Sequence, residues 1–143
     1  MKIIEVNEFT NEYLDFVRKL LCLLTSEPKQ FTEADFREII VSDNSHLFFL
    51  IDDNVIAGMV TVGIYRSPTG TKAWMEDVVI DEEYRRKGLG RMLTQYAIDY
   101  VKSQQVDSLM LTSNSLRIVA NHLYQSIGFE QKETNVYQMR FRK

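Results

Sequence analysis

Three cationic side chains and two glycines stand together in the stretch Arg85-Arg86-Lys87-Gly88-Leu89-Gly90, after an apolar run and before a helical pattern. The first N–H groups of a helix lack intrahelical partners, and the helix dipole places about half a positive charge there. Glycines let a phosphate approach the backbone, and the cations add full charges. The stretch therefore predicts a pyrophosphate-binding loop, with an ordinary solvated loop as the alternative.

Two other phosphate motifs do not match this stretch. A P-loop requires Gly-Lys followed by Ser or Thr, whereas Arg91 and Met92 follow Gly90. A dinucleotide-binding fingerprint requires a third glycine at the position that Leu93 occupies. A nucleotide-binding module is therefore disfavoured.

Other chemistries find little support in the composition. The single cysteine, Cys22, lies in an apolar run and is interpreted as a buried small hydrophobe. The two histidines, His46 and His122, are isolated in the sequence, so no metal site is predicted. A net charge of −3 argues against nucleic acid as a partner. No window approaches the ~18 apolar residues of a membrane span, and the N-terminus resembles a strand rather than a signal peptide. We expect no membrane association and a cytoplasmic location.

The elements around the loop follow from hydrophobic periodicity. Alternating or apolar runs predict strands, and spacings of three and four predict helices, with Thr32 as an N-cap and Gly128 as a C-cap. The predicted strands are Lys2–Val6, His46–Ile51, Val55–Tyr65, Lys72–Ile80, Ser108–Thr112, Phe129–Lys132 and Asn135–Arg142. The predicted helices cover 8–24, a segment opening at Thr32, 89–101 and Leu116–Ile127. This order predicts one mixed α+β domain over residues 1–143, in which the unit at 73–112 forms a parallel crossover.

Two motifs in this frame resemble those of a known family. Arg85-x-x-Gly88-x-Gly90, after a strand that ends Val78-Val79-Ile80, is similar to motif A of the N-acetyltransferase (GNAT) superfamily. The segment from Ala120 to Phe129, with Tyr124-x-x-x-Gly128-Phe129, is similar to motif B. The resemblance covers essentially the whole chain. It implies the acyl-CoA N-acyltransferase fold, a central mixed sheet of about seven strands flanked by four helices.

The resemblance also implies an activity. It is transfer of an acetyl group from acetyl-CoA (coenzyme A) directly to a primary amine of a small molecule or protein, without a metal. Relatives are often dimers, so a homodimer is an expectation by analogy. Residues 24–45, the Arg66–Thr71 turn and the Glu130–Tyr137 tail are expected to determine the acceptor. A non-catalytic acyl-CoA-binding sensor or interaction domain is the alternative.

The residue roles carry over from the same resemblance. Tyr124 matches the general acid, and Glu76 is the candidate base. Strand alternation places Trp74, Glu76, Val78 and Ile80 on one face, but the family commonly has a bulge here, so Asp77 remains a substitute. Val78 and Ile80 would pair with the pantetheine amides, and the amide of Val78 or Val79 would bind the carbonyl oxygen. The predicted cofactor-binding residues are Val78, Val79, Ile80, Arg85, Arg86, Lys87, Gly88, Leu89, Gly90, Arg91, Arg117 and Asn121.

Overall fold

A computed structural model describes residues 1–142 of the 143-residue chain. Within them, residues 1–111 form one compact unit, and the described residues from 112 onward form a second. The prediction of a single domain stays a prediction. The elements are β1 Lys2–Glu5, α1 Asn11–Leu24, α2 Glu33–Val41, β2 Ser45–Asp52, β3 Val55–Ser67, β4 Gly70–Ile80, a 3-10 turn Glu82–Tyr84, α3 Leu89–Ser103, β5 Ser108–Met110 and α4 Ile118–Ile127.

The first unit contains one five-stranded sheet in the order β1-β2-β3-β4-β5. Neighbouring strands are antiparallel except β4 and β5, which pair in parallel as the predicted crossover requires. Asp53 and Asn54 form the β2–β3 turn with φ of +46° and +69°. Asp and Asn tolerate this left-handed region better than most residues, which explains the tight hairpin.

Helices cover both faces of this sheet. On one face, α1 and α2 bury Leu20 and Phe36 in a cluster with Phe49, Met59 and Val79 of the strands. On the other face, the ring of Phe48 in β2 packs edge-on against Tyr96 and Tyr100 of α3. The apolar stripes that predicted these helices are therefore the surfaces that build the core.

Two helix ends confirm their predicted caps. The Thr32 hydroxyl accepts the Asp35 amide N–H while the Asp35 carboxylate accepts the Thr32 N–H, a complete capping box. Gly128 ends α4 with φ +125°, and its N–H donates to the Tyr124 and Gln125 carbonyls. Among the described residues no helix is both long and apolar enough to cross a membrane.

The prediction of about seven strands is wrong for the last two. Among the described residues, Phe129–Lys132 and Asn135–Arg142 form no strand, so the sheet has five. The alternation of Tyr137, Met139 and Phe141 suggested a half-buried strand, but these side chains are largely exposed. Strand propensity reflects packing on a pleated, half-buried surface. Without burial or a partner strand, the residue types of this segment do not stabilise a strand.

A β-bulge interrupts β4 next to the predicted site. Thr61 of β3 pairs with Glu76, but Met59 pairs with Val79, so Asp77 and Val78 together oppose one residue. Asp77 takes φ +54° at this point. Strict alternation had placed Glu76 with Val78 and Ile80. The extra residue instead brings Val79 onto the face of Glu76, as the register change requires.

Candidate functional site

The predicted phosphate loop spans the residues between two buried anchors. Asp81 is 3% exposed and Leu89 is 5% exposed, while Arg85, Arg86, Lys87 and Gly88 between them are exposed. The loop is therefore held at both ends, and its cationic centre faces solvent.

The backbone of this loop suits a bound anion. Gly88 is the N-cap of α3 and has φ +75°. It has no side chain that could accept hydrogen bonds from the first amides of α3. No heavy atom beyond the adjacent residues lies within 4 Å of where a Gly88 Cβ would stand. Arg86 also takes positive φ, +65°. Open space beside a helix start is what a phosphate needs, so these residues fit a pyrophosphate.

Two of the loop cations make local contacts. Arg85 Nε donates to the Ile80 carbonyl at 3.2 Å, which ties the guanidinium to the end of β4. The Lys87 ammonium lies 5.3 Å from the centroid of the Tyr84 ring. Both side chains stay exposed, and both residues stand just before the start of α3 in the chain.

One edge of β4 is open beside the bulge. The pairing of β4 with β5 ends at Trp74 and Met110, so among the described residues β4 has no strand partner on that side from Met75 to Ile80. An unpaired edge exposes amide and carbonyl groups that can pair with another chain of amides. The predicted cofactor-binding residues Val78, Val79 and Ile80 all lie in this segment, with the Val79 side chain buried.

The bulge brings two carboxyl groups together. Glu76 and Asp77 are adjacent and solvent-accessible. Partial burial raises the pKa of Asp77, and partial burial together with the Asp77 charge raises the pKa of Glu76. Each therefore accepts a proton more readily than an ordinary carboxylate, which suits a general base.

A cleft of about 550 Å³ opens beside Asp77. The cleft lies between the end of α1, the α1–α2 connection, α2 and the start of β2. Asp77 is the lining residue that comes from β4. Its walls are partly apolar, and they carry the carboxylates of Asp35 and Glu38 and the ammonium of Lys29. The cleft is lined by Leu21, Leu24, Thr25, Pro28, Lys29, Gln30, Phe31, Asp35, Glu38, Ile39, Ser42, Ser45 and Asp77.

Most of this lining falls in the segment 24–45 that the sequence indicated, but Leu21 and Asp77 do not. Asp77 reaches the cleft from β4, at the bulge where its φ is +54°. Cys22 is a further correction. It is exposed, because it lies on the outer side of α1 while Leu20 takes the core position.

Gly90 and Arg91 lie in the first turn of α3. The other three predicted residues, Tyr124, Arg117 and Asn121, belong to the second unit. Tyr124 is 8% exposed, and burial raises the pKa of its hydroxyl although the nearby Arg117 charge lowers it. Arg117 is the N-cap residue of α4, and Asn121 donates from Nδ2 to the Asn114 carbonyl at 3.0 Å. The Tyr124 hydroxyl is therefore protonated at neutral pH, as a proton donor must be, although the raised pKa makes it a weaker acid than an ordinary tyrosine.

Comparisons with known proteins show which sequences this chain resembles. The chain is 31% identical over 98 residues to streptothricin acetyltransferase A of Bacillus subtilis, covering 67% of this chain and 54% of that protein. It is 30% identical over 80 residues to the ribosomal protein bS18-alanine N-acetyltransferase of Salmonella typhimurium, covering 56% of this chain and 51% of that protein. The chain thus spans about half the length of these curated relatives.

A structural comparison gives the same fold. An aminoglycoside acetyltransferase from an uncultured soil metagenomic sample superposes with a TM-score of 0.83 at 17% identity, over 99% of this chain and 96% of that one. A model of the acetyltransferase (GNAT) family matches residues 14–129, most of the sequence. The chain therefore belongs to the acetyltransferase (GNAT) family.

Proposed function

We propose that this protein transfers an acetyl group from acetyl-CoA directly to a primary amine. The observation that carries the proposal is the arrangement along β4. The open edge from Met75 to Ile80 begins beside the cleft at Asp77 and leads into the cationic loop at Arg85–Gly90. One strand thus connects a place for an acceptor with a place for a phosphorylated donor.

The donor-binding residues divide into two sets. Arg85, Arg86 and Lys87, with the amides at Leu89 and Gly90, would hold the pyrophosphate by charge and by the α3 dipole. Arg91, Arg117 and Asn121 are proposed as additional contacts on the strength of the motifs. Backbone groups of Val78 and Ile80 would pair with the amides of the pantetheine arm, as one strand pairs with another.

Acetyl-CoA supplies an activated acetyl thioester, and the chain must manage the protons. An alkylammonium with a pKa near 10.4 is only about 0.04% deprotonated at pH 7, which costs about 4–5 kcal/mol. A carboxylate at the bulge would accept that proton, directly or through water. The amide of Val78 or Val79 would donate to the carbonyl oxygen as negative charge develops there.

The base is one of the two bulge carboxylates. Glu76 is the residue that the sequence indicates, but Asp77 is the one that lines the cleft, and this favours Asp77 for contact with the acceptor. Tyr124 is proposed as the acid that protonates the departing thiolate, on the strength of the motif.

The acceptor is proposed to bind in the cleft as a cation. Asp77 and Glu38 both line it, and a protonated amine would be attracted to them before it gives up a proton. Apolar side chains such as Leu24, Phe31 and Ile39 would contact the carbon skeleton of the acceptor.

A thiol-release assay tests the proposal. Acetyl-CoA is offered with a panel of diamines, monoamines, amino acids, aminoglycosides and peptides with a free α-amine, and released thiol and acetylated amine are measured together. We expect equal amounts of the two products with at least one acceptor. Tight coenzyme A binding without thiol release across the panel would instead support a sensor, and no binding at all would refute both.

A further inference from the structure

Asp81 is the buried carboxylate at the start of the phosphate loop. Its side chain accepts the Glu83 amide N–H at 3.3 Å and the Lys19 ammonium at 3.0 Å. Its own N–H donates to the Ala57 carbonyl of β3 at 2.8 Å, and its carbonyl accepts the Tyr84 N–H at 2.9 Å. Asp81 is therefore bonded at every polar group to a strand, a helix or the loop itself.

The pair that Asp81 makes is with a helix on the cleft side of the sheet. Lys19 belongs to α1, and the residue after it, Leu20, is fully buried in the core. Leu21 and Leu24 of the same helix line the cleft. The ammonium thus reaches the loop from a helix with a fixed position. Because 62 residues separate the partners, no local pattern predicts this contact.

The charge of Asp81 is maintained by these contacts. Burial alone would raise the pKa of its carboxyl, but hydrogen bonds from Lys19 and Glu83 and the charges of Lys19 and Arg85 outweigh it and lower the pKa. A carboxylate that stays ionised while buried needs its partners in place. Here the partners Lys19 and Glu83 hold Asp81 at the point where the chain leaves β4. Arg85 is anchored to Ile80, the residue just before Asp81.

We infer that the Lys19–Asp81 ion pair positions the phosphate loop, with Asp81 as a positioning residue for the pyrophosphate of the donor. The inference rests on the proposed function, since it concerns the same loop. It makes a specific demand. Loss of the pair must weaken contacts to the phosphates, and it must leave contacts to the thioester end unchanged.

Two donors separate these contacts. Acetyl-CoA carries the pyrophosphate, whereas S-acetylpantetheine carries the same thioester and amides without it. For Asp81→Asn and for Lys19→Met, we expect KM for acetyl-CoA and the calorimetric Kd of coenzyme A to rise about tenfold, from one charge-assisted bond. Turnover with S-acetylpantetheine should stay within about twofold, because pantetheine meets only β4.

Further variants exclude a general loss of folding. The double variant should lose no more than either single one, since both break the same pair. Lys19→Arg should keep most of the affinity. Asp99→Asn, which alters the 3.0 Å Gln95–Asp99 contact on the exposed surface of α3, serves as the matched control and should change nothing.

The outcomes are distinct. An unchanged coenzyme A affinity in Asp81→Asn and Lys19→Met, or additive losses in the double variant, would overturn the inference. Equal losses with both donors would also overturn it, because they indicate damage to the fold. Failure of the unmodified protein to acetylate any amine would count against the proposed function, while the calorimetric comparison would still decide the role of the pair.

Discussion

The phosphate loop and the cleft lie at two points of the same strand, β4, and they are built in opposite ways. The loop uses consecutive residues, Arg85 to Gly90, and its chemistry is backbone amide and full positive charge. The cleft takes residues from Leu21 to Asp77, and its chemistry is mainly side-chain carbon with carboxylates. The loop suits an anion of fixed shape, and the cleft suits a cation with a carbon skeleton.

This difference has a consequence for recognition. A pyrophosphate can be bound by any chain with a cationic helix start, so a short motif is enough to specify it. An acceptor is selected by the shape and charge of a surface that several elements form together. Changes at the loop should therefore affect every reaction of the protein equally, and changes at the cleft should affect acceptors differently.

The largest effect is expected at neither surface. Tyr124→Phe removes the proposed acid and should lower kcat by about 10³-fold, within the usual range for general acid–base catalysis. The Kd of coenzyme A and the KM for the amine should stay nearly constant, which would separate chemistry from binding. Tyr65→Phe, at an exposed tyrosine of β3, is the matched control. An unchanged kcat would remove Tyr124 as the acid.

The next effect tests the bulge. Asp77→Asn should lower kcat/KM for the amine about 10²-fold if Asp77 is the base. Glu76→Gln should have the smaller effect, and the reverse order would assign the base to Glu76 instead. Small losses in both variants would mean that neither carboxylate accepts the proton.

The pH dependence of kcat/KM is a second test of the bulge carboxylates. Burial raises the pKa of both bulge carboxyls, and only the deprotonated form is a base, so kcat/KM should rise with pH through that raised pKa. An alkylamine acceptor, which itself titrates near 10.4, keeps the two steps far apart. Asp77→Asn should abolish the lower step alone.

A smaller effect is expected at the loop. Arg85→Glu replaces a phosphate contact by a repulsion and should weaken coenzyme A binding about 30-fold in calorimetry, with the KM for each amine unchanged. The loss should shrink at high salt, because the charges are exposed. Arg140→Glu in the exposed tail is the control. An unaltered Kd would refute the assignment of the loop.

The smallest effect is expected at the cleft wall. For a linear five-carbon diamine, Glu38→Gln should raise KM about threefold, which is what an exposed charge pair provides. For n-pentylamine, which has the same carbon chain but no second cation, KM should not move. Glu12→Gln, on the exposed first turn of α1, is the control. An equal shift for both amines would exclude Glu38 as an acceptor contact.

The sequence predicted most of the fold because its local signals were consistent. Thr32 and Gly128 cap their helices where their chemistry suggested. Apart from Cys22, the differences occur where a strand depends on a partner. The tail at 135–142 alternates like a strand but is exposed, and β4 alternates regularly in sequence but contains a bulge in the structure.

By itself the sequence predicted the phosphate loop and identified the family, because both rest on motifs of residues that are close together in the chain. Only the tertiary structure decided that Asp77 lines the cleft, that the edge of β4 is open from Met75 to Ile80, and that Lys19 reaches Asp81. Each of these depends on strand register or on contacts between residues far apart in the chain. Local propensity contains no information about either.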